Sequence, residues 1–451
     1  MSYPPQLDYF CSRLEGLSVG LFRLEPQGAA SGLSAGQIVR FTLPSNALVD
    51  LRSFCLRFNC ETTPAASVKV AYRLPNRIES IISKVSVSIG GVQVSSGTSF
   101  YNTLVHAKAC IDGWADDAGK NHPEMIQSLA VNNYVTGQAL TNNETSNGLV
   151  APFSIDKWAG FLGECEPRVL DSGLCGDIVV QLTLEQPQNC ITCSNESTAD
   201  ANFILCAGAN AAATYEVSNL YATIRCYSLP SGVYDNLLAE QMASAGSLEV
   251  GFKNYYSFRD STQSVLRFQV ASQSINRIFV AAHAENGTNI PADARFPHLV
   301  PGYGQETAGA NINKNLNLGK IKYIHKYSQF SEPPSATAPG SDWTINGAKF
   351  PQYKMSSEDA LQITRLSGDK GDMAMADTGL VEWKDSQYVV ALKLTMDTPN
   401  SRFIQGLDSR SVAVAGYYNL YDLNAARVFT LFVECGSSLL ISSGRQIAVV
   451  M

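Results

Sequence analysis

The sequence has no run of about 18 apolar residues, so it contains no stretch that would be read as a membrane-spanning helix. Charged residues make up only 16% of the 451 residues, and the net charge is −7. A protein that coats nucleic acid needs clustered Lys and Arg, so these values argue against that class. Residues 1–10 lack the basic and apolar regions of a signal peptide, and we therefore expect no secretory leader.

Histidine is scarce, and none of the five lies at metal-ligand spacing from another His, Cys or carboxylate: His106, His122, His283, His298 and His325. The motifs G-x-S-x-G, H-E-x-x-H and G-x-G-x-x-G are absent. The turn at residues 368–372 lacks both P-loop and EF-hand spacing. We predict no catalytic, cofactor-binding or metal residue. Missing motifs lower the odds of an enzyme without excluding one, because distant positions can form a catalytic site.

The eleven cysteines are irregularly spaced and odd in number. Without a secretory leader they indicate reduced, mostly buried thiols of an intracellular protein. Cys190 and Cys193 form a C-x-x-C pair. No second pair follows at zinc-ribbon distance, so they are interpreted as loop thiols.

Alternating apolar and polar residues predict a chain dominated by β-strands. The clearest case is residues 78–94, in which Gly90 and Gly91 supply a two-residue hairpin turn. Strands are predicted in both halves, at residues 38–43, 51–59, 78–94, 177–184, 215–229, 247–258, 264–271, 275–282, 387–396, 428–434, 438–442 and 446–451.

Helical spacing is limited to a few short segments, residues 6–17, 101–111, 233–244 and 356–366. The last of these begins with a Ser cap followed by acidic residues. Residues 112–176 and 285–341 have little periodicity, and we predict two long, outward-facing loops there.

Many short strands with few helices predict an all-β protein made of two consecutive eight-stranded jelly rolls. Residues 1–37 are predicted to be an N-terminal arm, 38–230 the first jelly roll, 231–246 a linking helix and 247–451 the second jelly roll. Leu-Arg-Phe occurs at 56–58 and at 266–268, and Asn-Arg-Ile occurs at 76–78 and at 276–278. We read these as an internal repeat. Equivalent strands would then carry the two Leu-Arg-Phe runs, with Leu and Phe in the core and Arg outside.

The sequence resembles the double jelly-roll major capsid proteins of double-stranded DNA viruses, above all those of virophages and polinton-like viruses. The resemblance covers about the first quarter and the last strands, through residues 41–44, 50–53, 56–58, 73–75, Ile78, Ile81, 88–91, 101–102, 427–429 and 446–449.

The resemblance implies a homotrimer of two-roll subunits, a pseudo-hexagonal capsomer that tiles an icosahedral shell. It implies self-association, neighbouring capsomers and penton or minor capsid proteins as partners. No cofactor and no sequence-specific nucleic acid are implied. The expected location is the virion, after assembly inside the host cell. An internal membrane is compatible with the resemblance and is not predicted by it.

Two other functions remain open at this point. The first is a β-rich enzyme or carbohydrate-binding protein in which Trp343, Tyr353 or Trp383 stacks on sugar, although core or interface packing is the more usual role of such residues. The second is a minor vertex or spike protein of the same kind of virus, which copy number in the particle would distinguish.

Overall fold

The computed structural model describes residues 18–63, 70–73, 78–95, 98–112, 151–186, 192–195, 203–205, 214–228, 233–261, 264–284, 330, 332, 335–368, 380, 383–384, 388–395, 406–410, 414–423, 427–442 and 446–450. Structural statements below refer to these residues.

The first half of the chain carries twelve described strands. They are β1 (Ser18–Leu24), β2 (Ile38–Thr42), β3 (Leu48–Thr63), β4 (Val70–Arg73), β5 (Ile82–Ile89), β6 (Val92–Gln93), β7 (Ala151–Ile155), β8 (Val169–Asp171), β9 (Ile178–Leu184), β10 (Thr192–Asn195), β11 (Phe203–Leu205) and β12 (Thr214–Ser228). A 3-10 turn at Ile78–Ile81 precedes β5, and three helices follow β6: α1 (Tyr101–Asp112), α2 (Phe161–Glu164) and α3 (Ser172–Cys175).

The second half opens with a helix and carries nine described strands. The helix is α4 (Val233–Ala245), and a second helix, α5 (Ser357–Ser367), lies between β17 and β18. The strands are β13 (Ser247–Ser261), β14 (Val265–Val270), β15 (Ser274–Ala284), β16 (Ser335–Ile345), β17 (Ala348–Met355), β18 (Val389–Lys393), β19 (Val414–Leu423), β20 (Arg427–Ser442) and β21 (Gln446–Val450).

Each half folds into two antiparallel sheets with the same strand order. In the first half the sheets run β1-β12-β3-β7 and β2-β9-β5-β6; in the second they run β13-β20-β15-β18 and β14-β19-β16-β17. Numbered along the chain within a half, the order is 1-8-3-6 and 2-7-4-5 in both. Eight strands in two facing sheets make a jelly roll, so the predicted double jelly roll is confirmed. The remaining strands are additions: β8 on β3, β21 on β20, and a small sheet β11-β10-β4.

The pattern of burial explains why these segments are strands. In β9 every second residue is buried, from Ile178 to Leu184, and β5 buries Val85, Val87 and Ile89 in the same rhythm. Side chains on one face therefore fill the space between the two sheets while the other face remains partly accessible. Burial of such an apolar side chain contributes roughly 1.5–3 kcal/mol, which makes this alternation the main local determinant of the fold.

The helices predicted at residues 101–111, 233–244 and 356–366 and the predicted hairpin agree with the structure. Helix α5 begins after Ser356, whose hydroxyl accepts a hydrogen bond from the Asp359 backbone N–H (3.2 Å), while the Asp359 carboxylate accepts one from the Ser356 backbone N–H (3.0 Å). This reciprocal pair is a capping box. Gly90 and Gly91 have φ of 55° and 84° and connect β5 to β6. The helix predicted at residues 6–17 lies outside the described residues.

The two predicted long loops are partly wrong. Residues 151–176 contain β7, α2, β8 and α3, and residues 335–341 belong to β16. Phe153, Trp158 and Phe161 are buried. Phe153 packs on Phe58 and Trp158 on Phe54 within the first roll, and Phe161 packs on Phe252 of the second, so these residues do not face outward. In both loops, residues 113–150, 285–329, 331 and 333–334 lie outside the described residues. The predicted arm contains β1, which pairs with β12 as part of the first sheet.

The two Leu-Arg-Phe runs do not lie on equivalent strands, so that part of the repeat prediction is wrong. Residues 56–58 belong to β3, the third strand of the first roll, whereas 266–268 belong to β14, the second strand of the other. The orientation was correct: Phe58 and Phe268 are 2% and 3% exposed, and Arg57 and Arg267 face outward. The equivalence of the halves lies in strand order, and the short sequence match is a coincidence of β-pattern.

Candidate functional site

In the part of the chain that the structure describes, the residues weighed for metal or redox chemistry do not come together. Among the described residues no group of three or more His, Cys, Asp or Glu is placed to hold a metal ion. His106 is buried on α1, and Cys193 lies on β10. Burial raises the pKa of the thiols of Cys165 and Cys435 to about 12, which keeps them protonated at neutral pH. His122, His298, His325, Cys190 and residues 369–372 lie outside the described residues.

The tryptophans considered for sugar stacking are core residues. Trp343 and Trp383 are each 0% exposed. Trp343 packs on Tyr418 with ring centroids 4.5 Å apart, and Trp383 packs on Tyr388 at 4.7 Å. Neither indole presents a face to solvent, so neither can stack on a carbohydrate. Tyr353 is 55% exposed on β17.

A buried cluster of charged residues lies where the two rolls meet. Helix α1 of the first roll supplies Lys108 and Asp112, which are one helical turn apart and therefore on one face. Their side chains are 0% and 3% exposed, and Lys108 Nζ lies 2.9 Å from Asp112 Oδ2. Charged groups are almost never this buried unless they are paired, so further partners are required.

The second roll supplies the principal partner of Asp112. Arg277, on β15, places NH1 2.6 Å and NH2 3.2 Å from the two carboxylate oxygens of Asp112. The same guanidinium donates from NH2 (2.6 Å) and Nε (3.1 Å) to Glu434 Oε2 on β20. NH1 also donates to the carbonyl of Ser367 at 3.1 Å, at the end of α5. The planar fork of arginine suits this two-sided arrangement, which a lysine could not reproduce.

Three further residues complete the cluster. Lys108 Nζ donates to Glu164 Oε1 (3.0 Å) and to the hydroxyl of Tyr255 (2.8 Å), and that hydroxyl donates to Glu164 Oε2 (2.7 Å). Lys253 Nζ lies 3.2 Å from Glu434 Oε1. The roll-interface cluster, defined as Lys108, Asp112, Glu164, Lys253, Tyr255, Arg277 and Glu434, thus balances three cations with three anions.

The cluster holds Lys108, Asp112 and Glu434 in the charged state. Burial alone would raise the pKa of the Asp112 and Glu434 carboxyls, but the nearby Arg277 reverses the effect for both. The pKa of Asp112 is therefore below its usual range, with Lys108 as the second cause, and that of Glu434 falls to about 2. Burial would lower the pKa of Lys108, and the carboxylates of Asp112 and Glu164 raise it instead. The two rolls are therefore joined by ion pairs that persist across the ordinary pH range.

Uncharged contacts surround the cluster and close the free edge of β13. Glu166 and Gly251 exchange two backbone hydrogen bonds of 2.7 and 2.9 Å. Phe161 of α2 packs edge-on against Phe252, with centroids 5.2 Å apart. The contacts come from α1, α2 and the segments beside them, so the first roll fixes the position of the second. Among the described helices none is long and apolar enough to cross a membrane.

The roll-interface cluster was not predicted from the sequence, although two of its members lie in segments discussed in the sequence analysis. Arg277 belongs to the Asn-Arg-Ile match, and Lys108 lies in the predicted helix between Val105 and Ile111. A lysine inside an apolar helix face is a usable signal of a buried ion pair, because such a residue needs a partner.

Solved structures of viral capsid proteins match the chain over nearly its whole length, across both rolls. PBCV-1 VP54, from a crystal structure fitted into a cryo-EM reconstruction of the virophage Sputnik, matches with a TM-score of 0.55 over 97% of both chains. The Faustovirus major capsid protein matches with a TM-score of 0.51 over 95% of this chain and 91% of its own. The chain has the double jelly-roll fold of viral major capsid proteins.

The likeness to these capsid proteins is one of shape. A Sputnik virophage chain solved by cryo-EM matches with a TM-score of 0.51 over 96% of this chain and 88% of its own, at 10% identity. PBCV-1 VP54 and the Faustovirus protein are 13% and 10% identical to it. No family model and no curated protein sequence matches the chain. The shared feature is therefore the pair of rolls over nearly the whole chain length.

Proposed function

We propose that the chain is a viral major capsid protein that assembles as a homotrimer, with six rolls forming a pseudo-hexagonal capsomer that tiles an icosahedral shell. The observation that carries the proposal is the repetition of one eight-strand order in both halves, locked together by the roll-interface cluster. Three such chains would offer six similar units around one axis, which is what a hexagonal lattice position requires.

The interface between the rolls supports a building block of fixed shape. Arg277 ties Asp112 of the first roll to Glu434 of the second within 2.6 Å of each. A linkage of buried, fully paired charges resists hinge motion, because separating the rolls would expose each charge without its partner. A subunit that keeps one angle between its rolls is suited to repeating the same contacts many times in a shell.

We extend the proposal to the organisation and partners of the chain. Residues 38–230 and 247–451 are the two rolls, joined by the helix within 231–246, and β1 adds to the first roll the strand that precedes residue 38. The chain contacts other copies of itself, neighbouring capsomers and penton or minor capsid proteins. It resides in the virion, is assembled inside the host cell and has no enzymatic role.

The test is the mass and shape of the purified full-length chain. Light scattering should give three times the chain mass of 48.7 kDa, and negative-stain images should show a particle with six lobes and three-fold symmetry. A monomer that persists at high concentration would contradict the proposal. A minor vertex protein would instead be scarce, so counting copies in purified particles separates that alternative.

A further inference from the structure

The edge strand β13 of the second roll is covered inside the chain by the first roll. Its inner neighbour is β20, and its outer edge faces Glu166, which exchanges two backbone hydrogen bonds with Gly251. Further along the strand, the carbonyl of Tyr255 accepts a hydrogen bond from the Thr98 hydroxyl at 2.8 Å. An unpaired strand edge is prone to wrong pairing, and the first roll removes that edge from solvent.

Strand β1 is the counterpart of β13 in the first roll. Each is the first strand of its roll and the edge of its sheet, and each pairs with the last strand of the same roll. The registers agree as well, since Ser18 pairs with Ser228 at the end of β12 and Ser247 pairs with Ser442 at the end of β20.

The two counterparts differ in what covers them. Val19 and Leu21, on one face of β1, are 57% and 70% exposed, whereas Val250, which corresponds to Leu21 by register, and Phe252 on the same face of β13 are 3% and 0% exposed. In the described part of the chain, the strand hydrogen bonds of β1 run only to β12. A strand edge that combines open backbone groups with exposed apolar side chains is an aggregation hazard unless a partner covers it.

The chemistry of the uncovered strand differs from that of the covered one. By register, Lys253 and Tyr255, the two members of the roll-interface cluster on β13, correspond to Leu24 and Pro26, so neither has a polar counterpart in the first roll. The guanidinium of Arg23 is already paired with Glu25, at 2.7 Å. A partner that binds the exposed side of β1 should therefore present mainly apolar side chains to it.

We propose that the second roll of another copy of this chain covers β1, in the way that the first roll covers β13 within the chain. The inference rests on the proposed self-association and specifies its surface. Helix α5 occupies in the second roll the place that α1 has in the first, because each lies between the fifth and sixth strands. Helix α5 exposes Leu366 to 63%, which provides an apolar side chain for the contact. A head-to-tail contact of this kind, repeated by rotation, closes into a ring.

A photo-cross-linking amino acid, benzoylphenylalanine, placed at position 21 of the full-length chain tests the proposal. Irradiation should give a covalent dimer on a denaturing gel, and mass spectrometry should locate the second site on or beside α5, within residues 335–368. The same probe at Val92, which is 36% exposed on β6, is the control and should give no such product. A dimer linked through the first roll of both copies, or no dimer from a protein of trimeric mass, overturns the inference while the trimer stands.

A second variant measures the contact without cross-linking. Leu21→Asp should weaken trimer formation at least tenfold in sedimentation equilibrium, while the thermal unfolding of the isolated subunit remains that of the wild type. Val92→Asp adds the same charge elsewhere on the first roll and should leave the trimer intact. If Leu21→Asp assembles like the wild type, β1 is not the contact surface. If the wild type itself is monomeric at all concentrations, the proposed function fails along with the inference.

Discussion

Asp112 on a helix of the first roll and Arg277 on a strand of the second form a two-point ion pair, with N–O distances of 2.6 and 3.2 Å and both side chains no more than 3% exposed. The pair joins residues that are distant in sequence, and Arg277 extends it to Glu434. We therefore expect the two rolls to unfold as one unit, because separating them would leave a buried charge without its partner.

Replacing Arg277 by Met should destabilise the chain by roughly 3–5 kcal/mol, because Asp112 and Glu434 would remain buried without their main cation. The stability of Arg277→Lys should lie between those of Arg277→Met and the wild type, since lysine keeps the charge and loses the fork geometry. Urea unfolding followed by fluorescence measures both. Arg410→Met is the matched control. It breaks the exposed Arg410–Asp408 pair and should leave the unfolding midpoint unchanged. Equal midpoints for Arg277→Met and wild type would contradict the prediction.

The pH dependence of stability follows from the same cluster. The pKa of Glu434 falls to about 2 in the folded chain, against an ordinary value of 4.5, since Arg277 outweighs the effect of burial. A carboxyl with a lowered folded pKa stabilises fully above its unfolded pKa and loses that contribution as the pH falls towards the folded one. The wild type should therefore lose stability between about pH 4.5 and pH 2.

The measurement is the free energy of unfolding in urea across this pH range, compared with Glu434→Gln. Other carboxyls titrate in both proteins, so the difference between the two curves isolates residue 434. That difference should be largest near neutral pH and shrink as the solution becomes acidic. Parallel curves down to pH 2 would show that Glu434 contributes nothing through its charge.

Much of the fold was predictable because its determinants are local. The capping box of Ser356 and Asp359, the hairpin at Gly90 and Gly91 and the alternation in β9 depend on neighbours in sequence. β20 shows the limit of such reasoning. It was predicted as two strands separated near Gly436, yet it is continuous, because Lys253 on β13 and Ser274 on β15 both lie opposite Gly436 and hold the strand from either side.

The candidate site was not predictable from spacing, since residues 108, 164, 277 and 434 meet only through the packing of two rolls. The misread segment at 151–176 has the same cause. Its Gly, Asp and Ser residues look like a loop, but Trp158 donates a hydrogen bond from Nε1 to the Phe54 carbonyl at 2.8 Å and lies in the core. Burial between two sheets and a second roll overrides local turn preference there.

Gly416→Ala should destabilise the second roll, because the added Cβ would lie 1.9 Å from Cζ of Phe268 on the neighbouring strand. Phe268 is 3% exposed and cannot move into solvent, so the cost should be roughly 1–3 kcal/mol, as for other overpacked cores. Adding Phe268→Leu to Gly416→Ala should recover part of the loss, because the smaller side chain leaves room for the methyl group. Thermal unfolding of the three proteins gives the comparison. A double variant less stable than both single variants would contradict the proposed steric conflict.

The trimer should respond to salt as an apolar assembly, even though the interface within each chain is built from ion pairs. If the face of β1 that carries Val19 and Leu21 forms the contact between copies, the stability of the contact comes from buried apolar area, which salt does not screen. Raising NaCl from about 0.1 to about 1 M shortens the Debye length from about 10 to about 3 Å and would weaken an exposed ionic contact. The dissociation constant from sedimentation equilibrium should remain the same or fall. A tenfold rise would show that charges hold the copies together and that another surface carries the contact.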